Sequence, residues 1–237
     1  MGSSIEQRTC YTFYMSVSKL LYNKILPSLF EIQDKCEWIP IISGLIRVKK
    51  KAISYLHLQK GDKVLITSIG GGFELDFIIS KIGPEGFVVG IDFSESMLGI
   101  AQRKIEKMGW KNVKLINMDL NKYDPERDLD FKPDAILSNF GYMTTKLLNQ
   151  HINSLKTGGY IAMSGPQPLR GIRQLLYPIT FVPEMVFGLT WKVLQDFPNL
   201  VKIFHNQLFD IKIDEDTFGK YFVAISGKKS NDGAGFL

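Results

Sequence analysis

From Lys63 onward, short runs of β-branched and aliphatic residues alternate with longer stretches whose apolar positions recur at helical spacing. The runs KVLITS (63–68), GFVVGID (86–92), VKLIN (113–117), PDAILS (133–138) and GYIAMSG (159–165) read as strands. Between them, FELDFIISKI (73–82) and SESMLGIAQRKIEKM (94–108) read as helices, the second with Met97, Leu98, Ala101 and Ile105 on one face. Strictly alternating strands and helices predict an α/β fold with a doubly wound, mostly parallel sheet. Gly158 and Gly159 suit a helix C-cap and a turn before the fifth strand. Near the end, LFDIKIDEDTFGKYFVAISGKK holds two strand-like runs a few residues apart around Gly219. So short a connection requires an antiparallel hairpin, because a parallel crossover needs a dozen or more residues.

Outside this alternation the pattern changes. Residues 1–62 are mainly helix-like, and the tail SNDGAGFL has no pattern and is expected to be mobile. Between the fifth strand and the hairpin, residues 166–200 interrupt the βα rhythm; from Leu175 to Trp191 there is one charge, Glu184, and two prolines. Insertions at the carboxyl ends of strands form the binding crevice in open α/β sheets, so this segment is expected either to wall an apolar acceptor pocket or to cover the core. A second stretch, WIPIISGLIRVKKKAI (38–53), sets Trp38 and several isoleucines beside Arg47, Lys49, Lys50 and Lys51. It reads either as an interfacial helix for an anionic membrane surface or as a helix with one buried and one solvated basic face.

At 237 residues and 45% hydrophobic content, one substantial core is expected. The net charge of +5 favours anionic partners without choosing among them. Cys10 and Cys36 are too few for a disulfide framework and are not spaced as metal ligands, so no metal site is expected. No apolar run approaches the roughly 18 to 20 residues needed to cross a bilayer, and no signal-peptide pattern opens the sequence. The expected location is cytoplasmic, with peripheral membrane contact as an extension.

Candidate chemistry centres on VLITSIGGGFELDFI (64–78), where a strand enters three glycines and then a helix. Glycines there let a ligand approach the backbone, and the helix N-terminus offers unpaired N–H groups. The G-x-G-x-x-G fingerprint fails because Leu75 stands where its last glycine belongs, and no Gly-Lys-Ser/Thr completes a phosphate loop. Asp92 closes the second strand twenty residues after Gly72, where a carboxylate can accept both hydroxyls of a ribose. Alone, Asp92 could equally help Ser94 cap the next helix.

These segments together, from about residue 50 to 228, resemble the class I S-adenosylmethionine-dependent methyltransferases. Within them the chain is most similar to the quinone-biosynthesis C-methyltransferases and the small bacterial phosphatidylethanolamine N-methyltransferases. The resemblance implies a Rossmann-like seven-stranded sheet closed by the antiparallel hairpin, with an N-terminal helical lid over residues 1–62, a cofactor-binding domain over 63–228 and a tail at 229–237. It implies S-adenosylmethionine as cofactor. Gly70, Gly71 and Gly72 would lie against its methionine part, Asp92 on its ribose and Phe93 on its adenine. Asp119 would receive the adenine amino group, with Met118 and Leu120 alongside, and Asn139 and Phe140 would line the space around the methyl donor. As isolated apolar residues, Phe93, Met118 and Phe140 read equally as core. YTFYMSVSKLLYNKIL is similar to the segment that folds over the cofactor in those enzymes, which makes Tyr11, Tyr14 and Tyr22 lid candidates, or else helix residues packed on the sheet.

The sequence departs from the family at two positions. Ile66 stands where an acid usually helps hold the cofactor's ammonium, and Ser68 where a glycine is usual; Glu74 or a backbone carbonyl would have to substitute for the acid. No catalytic base is identified. The leading expected acceptor is hydrophobic or lipid-like, with a phospholipid head-group amine first. The alternatives are a quinone or other small-molecule C- or O-methyltransferase, or a cofactor-binding scaffold without catalysis. Nucleic acid is not expected, because SNFGY lacks the Pro-Pro-aromatic arrangement of enzymes that methylate exocyclic base amines.

Overall fold

The structure, a computed structural model, describes residues 40–141, 143–168, 191–217 and 221–230, together with Lys24. Tyr11, Tyr14 and Tyr22 lie outside the described residues, as do residues 169–190 and 231–237.

The first described element is helix α1 (Pro40–Ser54). Then come β1 (Lys63–Thr67), α2 (Leu75–Ile82), β2 (Phe87–Asp92), α3 (Glu95–Met108), β3 (Val113–Asn117), the single turn α4 (Pro125–Asp128), β4 (Ala135–Asn139), α5 (Thr145–Ser154) and β5 (Tyr160–Pro166). The chain closes with α6 (Trp191–Gln207), β6 (Leu208–Thr217) and β7 (Phe222–Lys229). Among the described residues the seven strands form one sheet in the order β3-β2-β1-β4-β5-β7-β6. The first five pair in parallel, and β7 runs antiparallel between β5 and β6. All five parallel strands and the closing hairpin fall where the alternation places them.

The central strands β1, β2 and β4 are apolar on both faces because both faces are covered. Side chains of a strand alternate, so Val64 and Ile66 enter one core layer while Leu65 enters the other. The first layer joins Val48, Ala52, Ile53 and Leu56 to α2 and α3; the second joins α5 to Leu200 and Phe204 of α6. The end of the 166–200 insertion is thus helix packed against the sheet.

Local chemistry sets the helix ends. Ser94 caps α3 by accepting from Met97 N–H at 3.3 Å, and Thr144 caps α5 by accepting from Leu147 N–H. The two-glycine turn differs from its expected form: α5 ends at Ser154 and its C-cap is Leu155 in an extended conformation. Gly158, at φ +80°, and Gly159 lie beyond the cap in the turn into β5. A Cβ on Gly159 would come within 2.6 Å of the Asp134 carbonyl oxygen, so close backbone packing, not capping, requires glycine there.

The strand order reverses between β1 and β4, since the chain leaves β1 toward β2 and later returns to β1's other side. Open α/β sheets bind ligands outside the carboxyl ends of strands at such a point. Here those ends carry the glycine turn after β1 and Asn139 at the end of β4.

Candidate functional site

The turn after β1 is wound through the left-handed region. Ser68, Gly70 and Gly72 have φ of +56°, +54° and +75°. Ser68 is the position where the family pattern has glycine, and the backbone still takes the shape glycine favours, with a serine strained into it. Space for that serine comes from across the crevice: a Cβ on Gly141 would approach Ser68 Oγ and Cβ and Ser138 Oγ to within 2.7–2.8 Å. The turn is closed by Ile69 N–H donating to the Ile91 carbonyl at 3.1 Å and Gly72 N–H donating to the Ile69 carbonyl at 3.0 Å. Lys104 of α3 donates to the Gly72 carbonyl at 3.0 Å and also pairs with Asp76.

Asp92 ties this turn to β2. Its Oδ2 accepts from Gly70 N–H at 2.8 Å and its Oδ1 from Ser94 N–H at 2.9 Å, and the residue is 1% exposed. It therefore orients the loop and also begins the α3 cap region. Phe93 beside it is 41% exposed, which removes it from the core. Beyond β3, Asp119 Oδ1 accepts from the backbone and side-chain N–H of Asn121, both at 2.9 Å. Met118 is half-buried and Leu120 buried, both packed in the second core layer. Asp92, Phe93, Met118 and Asp119 are contiguous, with Met118 N–H donating to the Asp92 carbonyl at 2.9 Å.

On the β4 side of the turn lies a buried polar network. Asn139 Nδ2 donates to Glu74 Oε1 at 3.1 Å, Asn139 Oδ1 accepts from Ser164 Oγ at 2.7 Å, and Lys49 Nζ stands 3.7 Å from Glu74 Oε1. Phe140, at φ +53°, donates its N–H to the Ser164 carbonyl at 2.7 Å and sets its ring edge-on to Phe222 at 5.4 Å. Lys49 Nζ lies 5.1 Å and 5.7 Å from the ring centres of Phe73 and Phe140. Ile66 is 1% exposed and belongs to the core layer.

Lys49 corrects the reading of the 38–53 segment as a membrane face. Ile46, Val48, Ala52 and Ile53 are in the core, and Lys49 is 4% exposed beside them. The exposed face carries Arg47, Lys50 and Lys51, and Lys51 is paired with Asp214 at 3.2 Å. With its apolar side packed on the sheet, the described helix is the alternative form, one buried face and one solvated basic face. In the sequence Lys49 stands out only as a member of the basic cluster, not as a site residue, and Ser164 does not stand out at all. A phase reading of α1 locates Lys49, because Ile46, Lys49 and Ile53 stand at i, i+3 and i+7 on one stripe; nothing marks Ser164.

A cavity of about 340 Å³ between α1 and α2 is bounded by Ser80 and Lys81, at the opposite end of α2 from Glu74, and is not part of this site. Among the described residues no group of three or more His, Cys, Asp or Glu side chains could hold a metal ion.

Residues 58–171 match the family described as Methyltransferase domain. The demethylmenaquinone methyltransferase of Geobacillus stearothermophilus is 34% identical over 140 residues, covering 56% of this chain and 58% of that one. The enzyme of the same name from Geobacillus sp. (strain WCH70) is 28% identical over 219 residues, covering 82% of this chain and 91% of that one. The match thus spans little more than half of the first relative and nearly all of the second. A SAM dependent methyltransferase from Aquifex aeolicus superimposes with a TM-score of 0.51 at 21% identity, over 76% of this chain and 89% of that chain. A Streptococcus mutans protein solved in complex with SAH does so with a TM-score of 0.56 at 16% identity, over 76% of this chain and 96% of that chain. These two likenesses show the fold: a seven-stranded, mostly parallel sheet closed by an antiparallel hairpin whose reversed strand, β7, lies next to the edge. The chain resembles the class I S-adenosylmethionine-dependent methyltransferases, through the methyltransferase domain matched over residues 58–171, and among them the enzymes named demethylmenaquinone methyltransferase.

Proposed function

We propose that the chain transfers a methyl group from S-adenosylmethionine to a ring carbon of a quinone-type acceptor. The observation that carries the acceptor class is the match to a protein named demethylmenaquinone methyltransferase across 82% of this chain. A phospholipid head-group amine, first among acceptors on sequence grounds, has no counterpart in the names of these relatives. The basic, apolar segment that suggested it places Ile46 and Ile53 in the core.

In this reading Gly70, Gly71 and Gly72 approach the methionine part of the cofactor, Asp92 takes the ribose hydroxyls, and Asp119 takes the adenine amino group. Phe93, Met118 and Leu120 bracket the adenine. The residue types fit: a buried carboxylate next to a glycine turn, an exposed ring beside it and an acid at the third strand end recur at the expected places. Tyr11, Tyr14 and Tyr22 belong to a lid over residues 1–62, and residues 166–200 contribute to the acceptor pocket.

Bound S-adenosylmethionine supplies an electrophilic methyl group on a sulfonium. The chain's share of the work is alignment and exclusion of water, and orientation alone can supply about 7 kcal/mol or more of a barrier. Asn139 is fixed from both ends by Glu74 and Ser164, so its amide cannot rotate to follow solvent. Phe140 is locked by its backbone bond to Ser164 and its contact with Phe222, which makes it a rigid apolar wall at the donor.

The test incubates purified protein with methyl-labelled cofactor and, separately, demethylmenaquinone reduced to its quinol, whose ring carbon can attack the methyl group and then lose its proton, or phosphatidylethanolamine, in matched detergent micelles. Label in the quinone alone is expected. Label confined to the phospholipid, or in neither, overturns the acceptor assignment.

A further inference from the structure

We infer that Lys49 and Glu74 together form the receptor for the amino-acid end of the cofactor, Glu74 for its ammonium and Lys49 for its carboxylate. The inference rests on the S-adenosylmethionine reading and assigns residues to a part of the site that the glycine motif leaves without an acid.

Three facts carry it. Among the described residues the buried Lys, Arg, Asp and Glu side chains are Lys49, Glu74 and Asp92, at 4%, 3% and 1% exposure. All three meet at one turn: Asp92 holds Gly70 N–H, Glu74 follows Gly72 by two residues, and Lys49 faces Glu74. Removing a charge from water costs several kcal/mol, so three such groups around one loop mark a place where charge is used.

Second, the acid expected at the end of β1 is Ile66, sealed in the core, so no carboxylate reaches the turn from that strand. With Asp92 engaged by the turn and placed for a ribose, Glu74 is the buried carboxylate that remains. It stands at the N-cap of α2 without capping the helix through its side chain, so the helix N-terminus favours its charge while its oxygens face other partners.

Third, the Lys49–Glu74 separation of 3.7 Å is an ion pair without a direct hydrogen bond. An α-amino acid carries an ammonium and a carboxylate on one carbon, which is the complement of a lysine and a glutamate held slightly apart. Phe73 and Phe140, within 5.1 Å and 5.7 Å of Lys49 Nζ, supply ring faces that favour a cation at this spot.

The experiment compares three ligands by titration calorimetry: S-adenosylhomocysteine, which carries the zwitterion; 5′-methylthioadenosine, which lacks it; and decarboxylated S-adenosylmethionine, which keeps the amine alone. Glu74→Gln should weaken S-adenosylhomocysteine binding about ten- to a hundredfold, as expected for charged hydrogen bonds, and leave methylthioadenosine within about twofold. Lys49→Met should weaken S-adenosylhomocysteine similarly and leave the decarboxylated ligand unchanged. Because either single change strands a buried charge, the neutral pair Lys49→Met with Glu74→Gln is included; it should keep the melting temperature of the native protein and lose the preference for S-adenosylhomocysteine over methylthioadenosine. Equal losses for all three ligands, or undiminished preference in the neutral pair, overturn the assignment. Failure of the unaltered protein to bind any of the three overturns the cofactor reading with it, whereas binding of methylthioadenosine without any gain from the zwitterion overturns this inference alone.

Discussion

Acidifying the protein from about pH 7.5 to about pH 4.5 should lower its stability through one residue, His151. This imidazole sits in the last turn of α5 at 0% exposure, packed with the Tyr123 ring at 5.8 Å, and neither of its nitrogens has a hydrogen-bond partner among the described residues. Burial pushes its pKa down from 6.5 to about 4. Between those values the unfolded chain takes up a proton that the folded chain refuses, so stability is full above the unfolded pKa and falls as the pH drops toward the folded one. At about 1.4 kcal/mol per pH unit, the loss by pH 4.5 is about 2.5 kcal/mol from this group. Urea denaturation at several pH values, on the native protein and on His151→Leu, isolates it. The variant keeps the apolar volume, removes the titrating group, and at neutral pH should be at least as stable because two unpartnered buried nitrogens are gone. The difference in unfolding free energy between variant and native protein should widen by about 2.5 kcal/mol over that pH range. Parallel pH curves would refute the reasoning and mean that His151 accepts its proton in the folded state.

Other perturbations probe the turn itself. Asp92→Ala should lower the melting temperature and cost about 1.5–3 kcal/mol in calorimetric cofactor affinity, since it removes both the anchor of Gly70 and a charged hydrogen-bond acceptor; unchanged affinity would contradict the ribose assignment. Ser68→Gly should stabilise the fold by about 1 kcal/mol in urea denaturation by relieving a φ of +56°, and a loss would show that the serine is held there by contacts that outweigh the strain. Gly141→Ala should destabilise, and adding Ser68→Gly should recover part of that loss beyond its own effect, because the new methyl group meets Ser68 at 2.7–2.8 Å; strictly additive effects would contradict the contact. Phe93→Ala should weaken cofactor binding without moving the melting temperature, since the ring is 41% exposed, and a large drop in melting temperature would return Phe93 to the core.

The strands were legible because parallel strands covered on both faces read as unbroken apolar runs: Val64 to Ile66 and Ala135 to Leu137 are buried at every position. The short 208–229 connection fixed the antiparallel hairpin for a similar local reason, chain length. What escaped was decided by facing, which single residue types do not carry. Lys49, Lys50 and Lys51 are the same letter three times, yet the first is in the core, the second exposed and the third paired with Asp214. Phe93 and Phe140 are the same residue type at two strand ends, yet one is 41% exposed and the other buried against Phe222. Gly158 and Gly159 announced a turn correctly, but the helix had already ended at Ser154, so their neighbours in space, not the helix, explain them.

The two departures in the glycine motif also become intelligible once facing is known. Ile66 lies in the same core layer as Val48 and Ala52 of α1, so an acid there would have to be buried beneath the helix that brings Lys49 to the site. The carboxylate stands instead at Glu74, where the start of α2 favours negative charge and Asn139 and Lys49 are in reach. Ser68 keeps the left-handed turn that a glycine would adopt freely, and the room its side chain needs is the room that Gly141 leaves. A missing acid on β1 and a missing glycine in the turn are therefore met by an acid and a glycine from neighbouring segments of the same crevice. On the proposed assignment the pocket keeps its charge and shape without the letters of the motif, so its binding is to be tested at Glu74 and Gly141 as well as at the glycines.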